Sequence, residues 1–175
     1  MKRLENENLV IISSVAVLLV LVVVFAHLNA GNVDLKKDLE IKAEFVFVHD
    51  SDSYRVTMND VLALNPVEFT AVMNTSTTDP TPVTFTGVEL SKLCERYNIH
   101  ISPDSVVLVK ALDGYASALT GSEVLTEDNV YICIHMNGEA LKPKKEGGLG
   151  PYLMVIKNVQ FSQRWCKFVE EIEVR

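Results

Sequence analysis

The chain has 175 residues, enough for one domain of about 100 to 150 residues plus an extension. It carries 16 Lys and Arg against 23 Asp and Glu, a net charge of −7; removing the first thirty residues takes away Lys2, Arg3, Glu5 and Glu7 and leaves that net unchanged. So acidic a body is a poor binder of nucleic acid or anionic lipid, and its three widely spaced cysteines, an odd number, do not form a disulfide framework.

From Leu9 to Ala26 the chain is apolar except for Ser13 and Ser14. A helix rising about 1.5 Å per residue over this length covers most of a hydrocarbon core of about 30 Å. Residues 9–27 are therefore expected to enter the cell membrane once. Lys2 and Arg3 hold the amino terminus in the cytoplasm and leave the rest outside it. On this reading residues 1–30 are the cytoplasmic tip and transmembrane helix, 31–40 a charged linker, and 41–175 the extracytoplasmic domain. The alternative for residues 1–30 is a signal peptide cut after Ala30. An uncleaved anchor is preferred because Leu28 stands where cleavage sites carry a small residue.

In the domain, Ile41 to Val48 alternates as a strand, with Ala43, Phe45 and Phe47 opposite Lys42, Glu44 and Val46. Residues 57–64 predict a short helix capped by Thr57 or Asn59 and stopped before Pro66. Val67 to Met73 is the next strand. The polar run Asn74 to Pro82, with Asp79-Pro80 and Pro82, is expected to be a loop. Val83 to Thr86 leads through Gly87 into an amphipathic helix over 88–97, with Leu90, Leu93, Cys94 and Tyr97 on one face.

Ser105 to Leu112 and Tyr115 to Leu119 form a hairpin about Asp113-Gly114. A polar segment, Thr120 to Asn129, precedes a strand over 130–136 that ends at the turn Asn137-Gly138. Cys133 and His135 share a face of that strand, but a closed metal site needs three or four ligands and none follow at suitable spacing, so no metal is expected. After a basic, glycine-rich loop from Lys142 to Gly150 comes a strand over 151–156. A terminal strand then buries Cys166, Phe168, Ile172 and Val174 on one side, interrupted by Glu170. The pattern is α+β: mixed or antiparallel sheets with a few short helices.

Several blocks stand in a telling order. They are Phe85-Thr86-Gly87-Val88 with Leu90 and Leu93, Asp113-Gly114-Tyr115, Met136-Asn137-Gly138-Glu139, Gly147-Gly148, Arg164-Trp165-Cys166-Lys167-Phe168 and Glu171-Ile172-Glu173-Val174. Over about Tyr54 to Val174 this ordered set resembles the molybdopterin-binding domain of the sulfite oxidase family. The resemblance implies a sulfite-oxidase-type fold and molybdopterin as the cofactor. In cofactor-carrying members a cysteine thiolate just after a strand, upstream of the Thr-Gly-Val helix, holds the molybdenum. The position that matches here is Asn74, whose neutral carbonyl is a weak, hard ligand.

Arg164 and Lys167 match an Arg-x-x-Lys pair that the resemblance places near the cofactor phosphate. A guanidinium forks phosphate oxygens and an ammonium adds a compact charge. Lys157 and Gln160 flank the same stretch, and Val159 and Ser162 stand in place of the family's glycines. Asn74, Lys157, Arg164 and Lys167 are thus the candidate cofactor-binding residues. Tyr115 and Trp165 are expected to pack in the core, and Asp113 and Glu139 to serve backbone bonding at turns.

These residues favour a non-catalytic, pseudoenzyme-like module that binds a small anionic ligand or a membrane protein partner. The first alternative is a molybdopterin-dependent oxidoreductase acting on a small oxo compound. The second is an accessory subunit of a membrane redox or export complex.

Overall fold

The computed structural model describes residues 12–25, 42–76 and 78–175. The chain divides into two units, Met1–Asp38 and Leu39–Arg175. In the first, residues 12–25 form helix α1, exposed along its whole length. Among the described residues no helix is long and apolar enough to cross a membrane. Both ends of the expected 9–27 span, and the linker at 31–40, lie outside the described residues.

Among its described residues the second unit contains ten strands: β1 (Glu44–His49), β2 (Asp52–Thr57), β3 (Val67–Thr75), β4 (Thr78–Glu89), β5 (Val106–Ala111), β6 (Ala116–Thr120), β7 (Val130–Met136), β8 (Glu139–Ala140), β9 (Leu153–Ile156) and β10 (Val169–Val174). Its helices are α2 (Met58–Leu62), α3 (Leu90–Arg96) and α4 (Gly121–Leu125), with 3-10 turns at Lys144–Glu146 and Ser162–Arg164. One sheet runs β2-β1-β10-β5-β6; the other runs β3-β4-β7-β8, with β9 also on β7. Among the described strands only β1 and β10 pair in parallel, so the mixed and antiparallel character expected from the pattern is what forms.

Alternation explains the core. Phe45 and Phe47 of β1, Val107 and Val109 of β5, and Ile172 of β10 meet Phe85 of β4, Ile132 of β7 and Met154 of β9 in one buried cluster. Phe45 packs edge-on to Tyr152 at 5.0 Å between ring centroids, and the Tyr152 hydroxyl donates to the Ala43 carbonyl at 2.7 Å. That bond satisfies a buried phenol, which would otherwise cost about 1–3 kcal/mol. Helix α2 begins as expected at Thr57: its hydroxyl accepts from the Asp60 amide while the Asp60 carboxylate accepts from the Thr57 amide.

Three expectations need correction. The run 74–82 is not a loop, because β3 reaches Thr75 and β4 starts at Thr78 as the other half of a hairpin. Prolines survive there because β7 joins β4 only from Phe85 onward, so Pro80 and Pro82 lie on a stretch with one side unpaired. The segment 120–129 contains α4, whose capping box of Thr120 and Glu123 is a Thr-x-x-Glu signal readable in the sequence. The terminal strand starts only at Val169, and its register shifts between Val169 and Glu171. That bulge resets the alternation, so Val169, Ile172 and Val174 form the buried set of the strand.

The stretch between β9 and β10 is a seam joining the sheets. Cys166 exchanges both backbone hydrogen bonds with Met154 of β9, at 2.8 and 3.1 Å. Two residues later the Phe168 carbonyl accepts from Leu112 at the end of β5, and its amide donates to Leu149. Phe168 makes this crossing with a left-handed φ of 55°. On the far side of β6, Gly121 brings α4 so close to the 102–105 loop that an added Cβ would lie 1.8 Å from the Ser102 carbonyl oxygen. We expect Gly121→Ala to lower the free energy of unfolding by about 3 kcal/mol, read from urea denaturation followed by Trp165 fluorescence. An unchanged midpoint would contradict this packing.

Candidate functional site

A cleft of about 370 Å³ opens beside the seam. The end of β3 supplies Met73, Thr75 and Ser76, and the β5–β6 turn supplies Asp113 and Tyr115. Leu149 comes from the glycine-rich loop, and Ser162, Gln163, Trp165 and Lys167 from the seam. The turn holds its residues firmly: Gly114 takes a φ of 88°, which glycine adopts without strain, and the Asp113 carboxylate accepts from the Tyr115 amide at 3.2 Å.

Tyr115 is not the core residue expected of it. It is 42% exposed on the cleft wall, with its hydroxyl donating to the Gln163 carbonyl at 2.6 Å. Trp165 is buried as expected, its indole N–H donating to Ile156 at 2.9 Å and its ring edge-on to Phe85.

The four candidate binding residues separate. Lys167 lines the cleft and, among the described residues, makes no ion pair. Asn74 sits between cleft-lining neighbours, yet its own polar groups turn to the seam. Its side-chain amide donates to the Gln160 carbonyl at 2.9 Å, while the Ser162 hydroxyl accepts from the Asn74 amide at 3.1 Å and donates to its carbonyl at 2.8 Å. Lys157 is ion-paired with Asp128, and its ammonium lies 5.9 Å from the centroid of the Phe69 ring.

Arg164 turns away from the cleft to α4. Its guanidinium forks the Glu123 carboxylate at 2.6 and 3.1 Å and also donates to the Ala118 carbonyl at 2.8 Å. Glu123 is held below the usual carboxylate range, first by Arg164 and then by the Thr120 amide that it caps; burial opposes both. The same bond raises Arg164, with desolvation opposing it. Residue type and resemblance leave Glu123 out of the site, and its Thr-x-x-Glu capping motif is the sequence signal that places it at the start of α4.

All three cysteines are free and buried. Burial pushes the Cys94 and Cys166 thiols up to about 12 and Cys133 well above its ordinary value. None lines the cleft. Among the described residues no three His, Cys, Asp or Glu side chains group as a metal-binding set.

This arrangement can be set beside known proteins. No curated protein matches the chain. Among solved structures it is similar to the crystal structure of the sulfane dehydrogenase SoxCD from Paracoccus pantotrophus, with a TM-score of 0.60 at 18% identity. The match covers 75% of this chain and 37% of that one, and at such identity it speaks for the fold. The sulfite-oxidase-type fold expected from the blocks is thereby supported, and the family model for the oxidoreductase molybdopterin binding domain matches residues 34–175. The chain belongs to the oxidoreductase molybdopterin binding domain family.

Proposed function

We propose that this domain is a non-catalytic ligand-binding member of its family, held at the outer face of the cell membrane by residues 9–27. The observation that carries the reading is the pairing of two departures from the family pattern. Asn74, at the position where the resemblance puts the metal's cysteine, donates its side-chain amide to the Gln160 carbonyl, and Ser162, at the position of a glycine, bonds the backbone amide and carbonyl of residue 74. Val159, the other residue in place of a glycine, packs against the core. At both polar departures the side chains bond within the chain.

The side chains present do not fit the family's molybdenum centre. The matching position offers an amide rather than a thiolate, the cysteines are buried and none lines the cleft, and Arg164 is forked on Glu123. Lys167 alone of the four candidates is turned to the cleft, with Tyr115 and Asp113 beside it. A small ligand is the natural occupant of a space of this size.

Three measurements test the reading. Protein matured in a host that makes molybdopterin is expected to contain no stoichiometric molybdenum by elemental analysis; about one atom per chain would overturn the proposal in favour of an oxidoreductase. Asn74→Ala and Ser162→Gly are each expected to destabilise the domain by about 1 kcal/mol in urea titrations, the size of a net hydrogen bond. An unchanged midpoint in Ser162→Gly would mean that the clasp has no structural role, and one in Asn74→Ala that the bond to Gln160 has none.

The third concerns pH. Because the folded Glu123 carboxyl is held low, its stabilising contribution is complete above the unfolded value of about 4.3 and is lost as pH falls through the folded value. Glu123→Gln should flatten the decline of stability below about pH 4 relative to wild type, as read from thermal melts across that range. An identical acid limb in both proteins would count against the Arg164–Glu123 bond.

A further inference from the structure

The proposed ligand-binding role leaves open what the cleft would hold, and the inference drawn here rests on that role. We infer that the cleft takes a small aromatic monocarboxylate, its carboxylate on Lys167 and its ring against Tyr115, rather than a phosphorylated ligand.

Charge is the first argument. Among the described residues Lys167 is the one cation lining the cleft, and Asp113 lies on the same lining. Lys144 is 3.8 Å from the Asp113 carboxylate, so that lysine answers a charge already present. A phosphate dianion would thus meet one ammonium and one nearby carboxylate. The forked guanidinium that suits phosphate best is held by Glu123 and Ala118 outside the cleft. One negative charge balances Lys167; two do not.

Shape and rigidity give the second argument. Tyr115 is an exposed aromatic whose ring is fixed at both ends, by the hydroxyl bond to Gln163 and by the backbone bond to Asp113. A pre-positioned ring loses little freedom when a ligand stacks on it. Met73 and Leu149, partly buried against the core, extend the apolar wall, so the space favours a flat apolar body over a sugar or a chain of phosphates. A volume of about 370 Å³ admits a single substituted ring with room for solvent.

The chain has a single tryptophan, and it lines this cleft, so binding can be read directly. Full-length protein in detergent would be excited at about 295 nm and titrated with phenylacetate, with phenylacetamide, acetate and inorganic phosphate as comparisons. Phenylacetate is expected to give a saturable change with a Kd of about 0.5 mM, the range a ligand of ten heavy atoms reaches. Phenylacetamide and acetate should each bind at least about tenfold more weakly. Lys167→Gln and Tyr115→Ala, with unchanged circular dichroism, should each weaken phenylacetate about tenfold, while Asp113→Asn should not weaken it.

Tighter binding of phosphate than of phenylacetate would overturn the inference, as would indifference to Lys167→Gln. Elemental analysis of the same preparation separates the two claims. Molybdenum-free protein that ignores phenylacetate sinks the ligand class and leaves the non-catalytic reading standing; stoichiometric molybdenum sinks both.

Discussion

The two-way backbone bond between Cys166 and Met154 is the constraint on which the rest of the domain depends. It fixes the seam to β9 in one sheet two residues before Phe168 hands the chain to β5 and β10 in the other. Everything around the cleft inherits its position from that crossing. Trp165 is buried beside it with an edge on the cleft, Lys167 is exposed at the same cleft, and the Ser162–Arg164 turn is brought against the end of β3. A buried cysteine suits the crossing because it is small and apolar enough to leave the backbone exchange undisturbed.

Polar groups around the seam show how the same residue type can serve opposite ends. An arginine near a pocket suggests anion binding when read by type alone. Here its planar fork matches a carboxylate that is already fixed by capping α4, so the pair braces the seam to α4. Lys167, three residues on and without such a partner among the described residues, keeps its charge for the cleft. Asparagine at position 74 follows the same logic: its side-chain amide donates to the Gln160 carbonyl, a bond for which a thiol is a much weaker donor.

Much of the fold was legible in the sequence because short-range signals carried it. Alternation marked β1, β5 and β7, Asp113-Gly114 and Asn137-Gly138 marked turns, and Thr57 marked the start of α2. At α4 a local signal, the Thr120-x-x-Glu123 capping box, went unused, while in two strands neighbours override local preference. Pro80 and Pro82 entered a strand because only one edge is paired there. Glu170 broke the terminal alternation because the ladder shifts by one residue beside it, a displacement no period can announce. At the site, residue types pointed to four binding candidates, but the structure turned only Lys167 into the cleft and added Tyr115, which composition had assigned to the core.

By itself the sequence determined the family, the α+β pattern and the departures at Asn74, Val159 and Ser162, since these lie in the order and identity of residues along the chain. Only the tertiary structure decided what those departures do. Asn74 lies 86 residues from its partner Gln160, and Arg164 lies 41 from Glu123. Whether a polar side chain faces a cleft or a fixed partner depends on contacts between elements that folding alone brings within hydrogen-bond reach.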